Sequence, residues 1–209
     1  MVDADDGASD EAPGWDAIDV ALRALYGSAK PRHVGYMPPA AFSANLQGCS
    51  AYAAQAHWHY ITYGLSELYV PAPESNRDIS GWGFELTMRV PGGSEPSPPG
   101  WPFTMLNELA KHVNTNRVLL APGDRIDMRS PVTGHPHLPD APATGLSVYA
   151  VTTDQQLGRI STPNGSVQFL QVVGVTGAEK DRMLATSTAE VLTELARDNP
   201  LLITDPHRA

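Results

Sequence analysis

Two aromatic-rich runs, a short loop apart, set the tightest limit on what this chain can fold into. In His57-Trp58-His59-Tyr60-Ile61-Thr62-Tyr63, side chains alternate, so His57, His59, Ile61 and Tyr63 share one side of an extended backbone and Trp58, Tyr60 and Thr62 the other. Large rings on both faces leave no side for water, which predicts an interior strand of a sheet covered above and below. From Ser80 onward, Phe84, Leu86, Met88 and Val90 alternate with Glu85, Thr87 and Arg89. That is the pattern of a strand with one face in the core and one in water, nearer the sheet margin.

Ile18, Ala21, Leu22 and Leu25 recur at i, i+3, i+4 and i+7, predicting a helix that stops at Gly27 ahead of Pro31. Between residues 32 and 56 the reading stays open: Met37-Pro38-Pro39 breaks whatever precedes it, and Leu46 to Ala54 fits a strand or a helical turn. After a Pro/Gly/Ser loop from Pro91 to Pro99, a second helix opens with Pro102 in its first turn and buries Leu106, Leu109, Ala110 and Val113. Strands follow near residues 125–128 and 146–151. Pro163-Asn164-Gly165-Ser166 marks a hairpin turn, and its second arm, Val167 to Val175, is apolar on both faces. Thr176 with Glu179 and Ser187 with Glu190 fit capping boxes of two helices, the latter burying Val191, Leu192 and Leu195. Asn199-Pro200 ends that helix, and Leu201 to Thr204 reads as a last short strand. Helices before, between and after hairpin-linked strands predict an α+β class, a mixed, mainly antiparallel β-sheet packed by helices.

Residues 1–14 hold Asp3, Asp5, Asp6, Asp10 and Glu11 with no base and no apolar period, which reads as an acidic disordered tail ahead of one domain over 15–209. Removing those five acids from the formal net charge of −9 leaves −4, and the body's Arg and Lys are scattered singly. Nucleic acid is therefore not an expected partner, since a phosphate backbone asks for a basic stripe. One cysteine, Cys49, allows neither an internal disulfide nor a thiolate cluster. No run approaches the roughly 20 apolar residues needed to cross a bilayer, and the N-terminus carries acid where a secretory signal carries base. The expectation is a cytoplasmic protein with no membrane partner. Three Lys against eleven Arg, with abundant Ala, Gly and Pro, fits a high-GC bacterial coding bias.

Markers of covalent chemistry are missing. Gly64-Leu65-Ser66 and Gly145-Leu146-Ser147 each lack the closing glycine of a nucleophile elbow, and no Walker-type phosphate loop occurs. His57/His59 and His135/His137 have the i, i+2 spacing that turns two imidazoles to one side of a strand, making His57 and His59 weak metal candidates. Hydrogen-bonded core histidines are the commoner outcome on an aromatic strand, so no metal and no cofactor are expected. Cys49 reads as a small buried apolar residue. Glu85 reads as a solvated charge on the outward face of its strand. Asp124 follows Gly123 in a helix-to-strand turn, where a short acid bonds neighbouring backbone amides.

The His57 to Tyr69 block with Ser80-Gly81-Trp82-Gly83-Phe84-Glu85, then Pro98-Pro99-Gly100-Trp101-Pro102, Gly123-Asp124, Ser130-Pro131, Thr162-Pro163-x-Gly165, Phe169 to Val175 and Leu202-Ile203-Thr204-Asp205, together resemble the Suppressor of fused family. The matches run in order over nearly everything from Trp15 to the C-terminus. The resemblance implies the family's N-terminal-domain fold in a stand-alone bacterial form, since animal members carry a second, C-terminal domain and a long disordered insertion. In animal members a partner segment is clamped as an added strand between the two domains, and the acid of the Gly-Asp pair grips it. That acid corresponds to Asp124, while the family's nearby aromatics correspond to His112 and Leu120, giving Asp124, His112 and Leu120 as implied partner-binding residues. The implied function is a non-catalytic protein-binding domain, of the immunity type that binds and neutralises a toxin domain. Alternatives are a regulatory adaptor that sequesters a peptide or transcription factor by strand addition and, ranked below both, a small metal-dependent hydrolase.

Overall fold

The computed structural model describes residues 11–37, 44–70, 78–92 and 96–208. In chain order the elements are α1 (Pro13–Tyr26), β1 (Arg32–Gly35), β2 (Gly48–Ala53), β3 (His57–Tyr63), β4 (Ile79–Pro91), α2 (Trp101–Asn116), β5 (Arg125–Asp127), β6 (Leu146–Thr153), β7 (Arg159–Thr162), β8 (Gly165–Thr176), α3 (Gly177–Ala185) and α4 (Thr188–Leu195). The strands form one sheet in the order β1-β2-β3-β4-β8-β6-β5, with β7 also paired to β8. Every neighbouring pair is antiparallel except β4 and β8, which run parallel across a long crossover that contains α2.

Local signals place the helices well. α1 ends at Gly27, whose φ of 62° a side chain would strain. It begins at Pro13, inside the stretch read as an acidic tail, and residues 1–10 of that tail lie outside the described residues. α2 carries its proline in the first turn and buries Leu106, Leu109, Ala110 and Val113. The box at Thr176 and Glu179 is complete in both directions, whereas at Ser187 the structure gives the bond from the Glu190 amide. The open stretch from 32 to 56 contains β1 and β2, and Pro38 and Pro39 lie outside the described residues. Leu201 to Thr204 is not a strand: it is an irregular segment, with Leu202 at a φ of 51° and the Thr204 amide on the Arg89 carbonyl at 2.8 Å.

β3 is buried at every residue. β4 departs from its sequence reading. It lies in the middle of the sheet between β3 and β8, and Glu85, Thr87 and Arg89 have no exposed surface. The reason is that both faces are covered. On one face α2 packs Leu106, Leu109 and Val113 onto Tyr60, Leu86, Met88, Leu170 and Val172, and each such burial stabilises by about 1.5–3 kcal/mol. On the other, α1 sets Ile18 and Leu22 against Ile61, Tyr63 and Phe169, while α3 and α4 set Met183, Val191 and Leu192 against Val148, Val173 and Val175. Between these two apolar patches the register lines up His59, Thr87, Arg89 and Gln171 on one face. The polar residues of β4 are therefore roofed, not solvated.

Candidate functional site

Two sets of polar groups are built into the fold, one buried and one at a sheet edge. The buried set centres on Asp154, at the end of β6. Its Oδ2 accepts from Arg89 Nη1 at 2.6 Å, Thr87 Oγ1 at 2.8 Å and His59 Nε2 at 3.1 Å, while Oδ1 accepts from Arg89 Nη2 at 3.1 Å. Burial raises the Asp154 carboxyl, but the hydrogen bonds from His59 and Arg89 outweigh it and hold the group well below the usual carboxylate range. Since an ionised carboxylate only accepts, His59 donates from Nε2 and receives the Tyr26 hydroxyl on Nδ1, 2.7 Å away. Burial pushes His59 down to about 4, so it is the neutral ring that sits there.

Glu85 forms a second buried node. Oε1 accepts from the amides of Gly64, Leu65 and Ser66 at 2.9, 3.1 and 2.9 Å and from Ser66 Oγ at 2.6 Å, and Oε2 accepts from Thr62 Oγ1 at 2.6 Å. Burial pushes its carboxyl up to about 6 against the pull of the Ser66 and Thr62 hydrogen bonds. This carboxylate shapes the chain reversal after β3. The expectation of a solvated charge fails because the partners come from loops distant in sequence.

The edge set is where Asp124 sits. Ala121 N–H donates to Asp124 Oδ2 at 2.8 Å and Asp124 N–H to the Ala121 carbonyl at 3.1 Å, closing a tight exposed turn that leads into β5. The Val151 amide on the Asp124 carbonyl and the Met128 amide on the Ser147 carbonyl fix the hydrogen-bonded register of β5 against β6. Alternation then turns the N–H and C=O of Arg125 and Asp127 outward. Among the described strands, β5 has a partner on one side only.

The other implied residues do not join Asp124. His112 is exposed on α2 with its Nδ1 against Asn116 Nδ2 at 3.0 Å. Leu120 belongs to the main core at 6% exposure, whereas Leu119 is 69% exposed beside the Asp124 turn. Leu119 is thus the apolar contact this turn offers, which sequence reading missed. As for metal, both nitrogens of His59 are already committed, and among the described residues no three His, Cys, Asp or Glu side chains converge to hold an ion. Burial pushes the Cys49 thiol well up, leaving it a poor nucleophile.

A family model described as Suppressor of fused protein (SUFU) matches residues 43–209. The chain belongs to the Suppressor of fused family. The human and mouse Suppressor of fused homologs are each 35% identical to it over 162 residues, 73% of this chain. The chain spans 32% of the length of these curated relatives. Among solved structures, a chain of the Sufu–Fu complex superposes with a TM-score of 0.84 at 29% identity, covering 95% of this chain and 92% of that one. Drosophila Suppressor of Fused gives 0.84 at 29% identity, covering 97% and 52%. The putative SUFU homolog from Neisseria gonorrhoeae FA 1090 shares the fold at a TM-score of 0.63 and 13% identity, covering 93% and 94%. The expected α+β architecture, a mainly antiparallel sheet packed by helices as in Suppressor of fused N-terminal domains, is the one found. No described helix is long and apolar enough to cross a membrane.

Proposed function

We propose that this Suppressor of fused domain is a non-catalytic protein-binding module that takes an extended segment of its partner along β5, and that the partner is a toxin domain which it neutralises in a bacterial host. The observation that carries the reading is the outer edge of β5. Its outward N–H and C=O groups at Arg125 and Asp127 are ready to pair with an added strand, with the Asp124 carboxylate and Leu119 at its entrance. The charges in the sheet interior support binding over catalysis: Glu85 and Asp154 are fully buried and saturated by protein donors, out of reach of a substrate. A formal charge of −9 favours rapid encounter with a basic toxin domain. A solved chain of this fold comes from a complex named Sufu–Fu, which supports protein partnership in general and keeps a regulatory adaptor as the second reading.

The test pairs this domain with a toxin domain encoded beside its gene, in co-expression for growth rescue and in titration of the purified proteins. Asp127→Pro removes one outward amide, and Asp124→Asn removes the charge while keeping an oxygen for the Ala121 amide. Each weakens binding by roughly tenfold, an edge contact's worth; Asp124→Asn leaves the melting temperature unchanged, and Asp127→Pro lowers it slightly through the lost Lys180 and Arg129 contacts. Unaltered affinity in both variants excludes the β5 edge. Absence of rescue together with tight binding of a transcription-factor segment replaces the immunity reading with the adaptor.

A further inference from the structure

The sheet has a second terminal strand, and its surroundings differ in charge from the rest of the molecule. From Val20 to Ser66 the sequence holds Arg23, Lys30 and Arg32 and no Asp or Glu, in a chain of net charge −9. No described carboxylate forms an ion pair with any of the three, and all three are exposed. Arg32 lies on β1, and Arg23 and Lys30 line a cleft of about 370 Å³ beside it.

β1 pairs with β2 alone among the described strands. The Tyr36 amide on the Gln47 carbonyl sets the hydrogen-bonded register, with Gly35 opposite Gly48 and His33 opposite Ser50. Alternation therefore turns the N–H and C=O of His33 and Gly35 toward the open side. The cleft next to that edge is pre-shaped. Trp15 stacks on Tyr63 with centroids 4.4 Å apart and tilts against His33 at 5.6 Å, while His33 Nδ1 lies 2.9 Å from Ser50 Oγ. The one acid in the cleft lining, Asp19, accepts the Tyr63 hydroxyl at 2.9 Å. Arg23 and Lys30 are left to face an incoming group.

The geometry points to the free edge of β1 and this cleft as a second protein-docking edge, which takes an extended polypeptide segment carrying carboxylates. The segment's backbone pairs with His33 and Gly35. Because side chains alternate along the added strand, every second one falls on the cleft side, where Arg23 and Lys30 meet its carboxylates and the half-buried Trp15 ring, which caps Tyr63, meets its apolar parts. Lysine or proline in the segment is rejected, the first by charge and the second by the missing amide. This edge is separate from β5, at the opposite end of the strand order, so the chain can hold two segments at once.

The experiment uses the full chain and a fluorescein-labelled peptide, Gly-Thr-Glu-Val-Glu-Val-Glu-Thr-Gly, with a lysine-for-glutamate counterpart, read by anisotropy. The acidic peptide binds, and its lysine counterpart binds at least about tenfold more weakly, as opposed charge patterns demand. The double substitution Arg23→Glu with Lys30→Glu weakens binding of the acidic peptide by roughly fivefold or more, and Gly35→Pro, which removes an outward amide, abolishes it. Asp127→Pro on the other edge leaves it unchanged, which separates this proposal from the one for β5. Melting temperatures of the Arg23/Lys30 and Gly35 variants match the parent's, because these positions are exposed, while Asp127→Pro loses the Lys180 and Arg129 contacts of Asp127 and melts slightly lower. Failure of the acidic peptide to bind, equal binding of both peptides, or insensitivity to the Arg23/Lys30 and Gly35 variants overturns the proposal.

Discussion

Arg89 and Asp154, 65 positions apart in sequence, meet in the middle of the sheet with two guanidinium contacts of 2.6 and 3.1 Å and no exposed side-chain surface. Around them, Gln171 Oε1 takes a third Arg89 hydrogen bond at 2.7 Å and Gln156 Oε1 a fourth at 2.9 Å. One charge pair thus joins β4, β6, β8 and the loop after β6. Removing one partner strands the other without its counter-charge. Arg89→Met is expected to cost about 3–5 kcal/mol, as for other broken buried pairs, measured by urea unfolding. Arg89→Met combined with Asp154→Leu costs less than the sum of the two singles. A loss under about 1 kcal/mol for Arg89→Met would mean that water reaches this site.

The same cluster sets the pH response. Burial, with Arg89 nearby, holds His57 near 4, and burial holds His59 near 4, against 6.5 for a free ring. Between those values the unfolded chain binds protons that the folded chain refuses, so stability falls as the pH drops from 6.5 toward 4. Glu85 acts oppositely: folded it titrates near 6, unfolded near 4.5, so it adds stability as the pH falls through that interval. Two rings with wider windows outweigh one carboxyl. The urea midpoint therefore declines between pH 6.5 and 4.5, and His57→Gln makes the decline shallower. Identical midpoints at the two pH values would contradict the buried neutral rings.

Glu85 separates a charge effect from a shape effect. In Glu85→Gln, the amide oxygen keeps the three backbone donors at Gly64, Leu65 and Ser66, and the amide NH2 faces the Thr62 hydroxyl, which can turn to accept. That variant loses about 1 kcal/mol. Glu85→Ala leaves three buried amides and two hydroxyls short of a partner and loses about 3–5 kcal/mol. Hydrogen exchange at residues 64–66 accelerates in the alanine variant and stays near the parent's rate in the glutamine one. Comparable exchange in both would assign the loop's order to packing instead.

What was legible in the chain was mostly what is local. Gly27 ends α1, whose start at Pro13 lay hidden in the acidic stretch, Pro102 opens α2, the Thr176 and Glu179 box starts α3, and the turn at Pro163-Asn164 closes β7 onto β8. Each signal acts within a few residues. The place of β4 was not legible from its own alternation, because Glu85 and Arg89 look solvated until loop 64–66 and Asp154 supply their partners. A clue was present in β3: a strand with rings on both faces requires covered neighbours, and β4 is the next strand in the chain. At the candidate site, the Asp124 turn followed from a short acid after glycine, but nothing local showed that Leu120 would be buried and Leu119 exposed. A connection of a few residues has no period from which to read an inward side.

Gly174 tests how the C-terminal segment is seated. A Cβ there would stand 2.6 Å from Thr204 Cγ2, 3.1 Å from Leu146 Cδ1 and 3.3 Å from Val132 Cγ2. Its amide donates to Thr204 Oγ1 at 2.9 Å, so glycine allows the backbone of β8 and the threonine to approach at once. Gly174→Ala is expected to cost about 1–3 kcal/mol by overpacking, and the strain should fall on the segment from Leu201 to Thr204. Thr204→Ser removes the closest methyl while keeping the hydroxyl that takes the Gly174 amide. The pair Gly174→Ala with Thr204→Ser therefore recovers at least about half of the loss in urea unfolding, a coupling that two independent sites would not show. Strict additivity would place the strain at Leu146 and Val132 and leave the close seating of Thr204 without energetic weight.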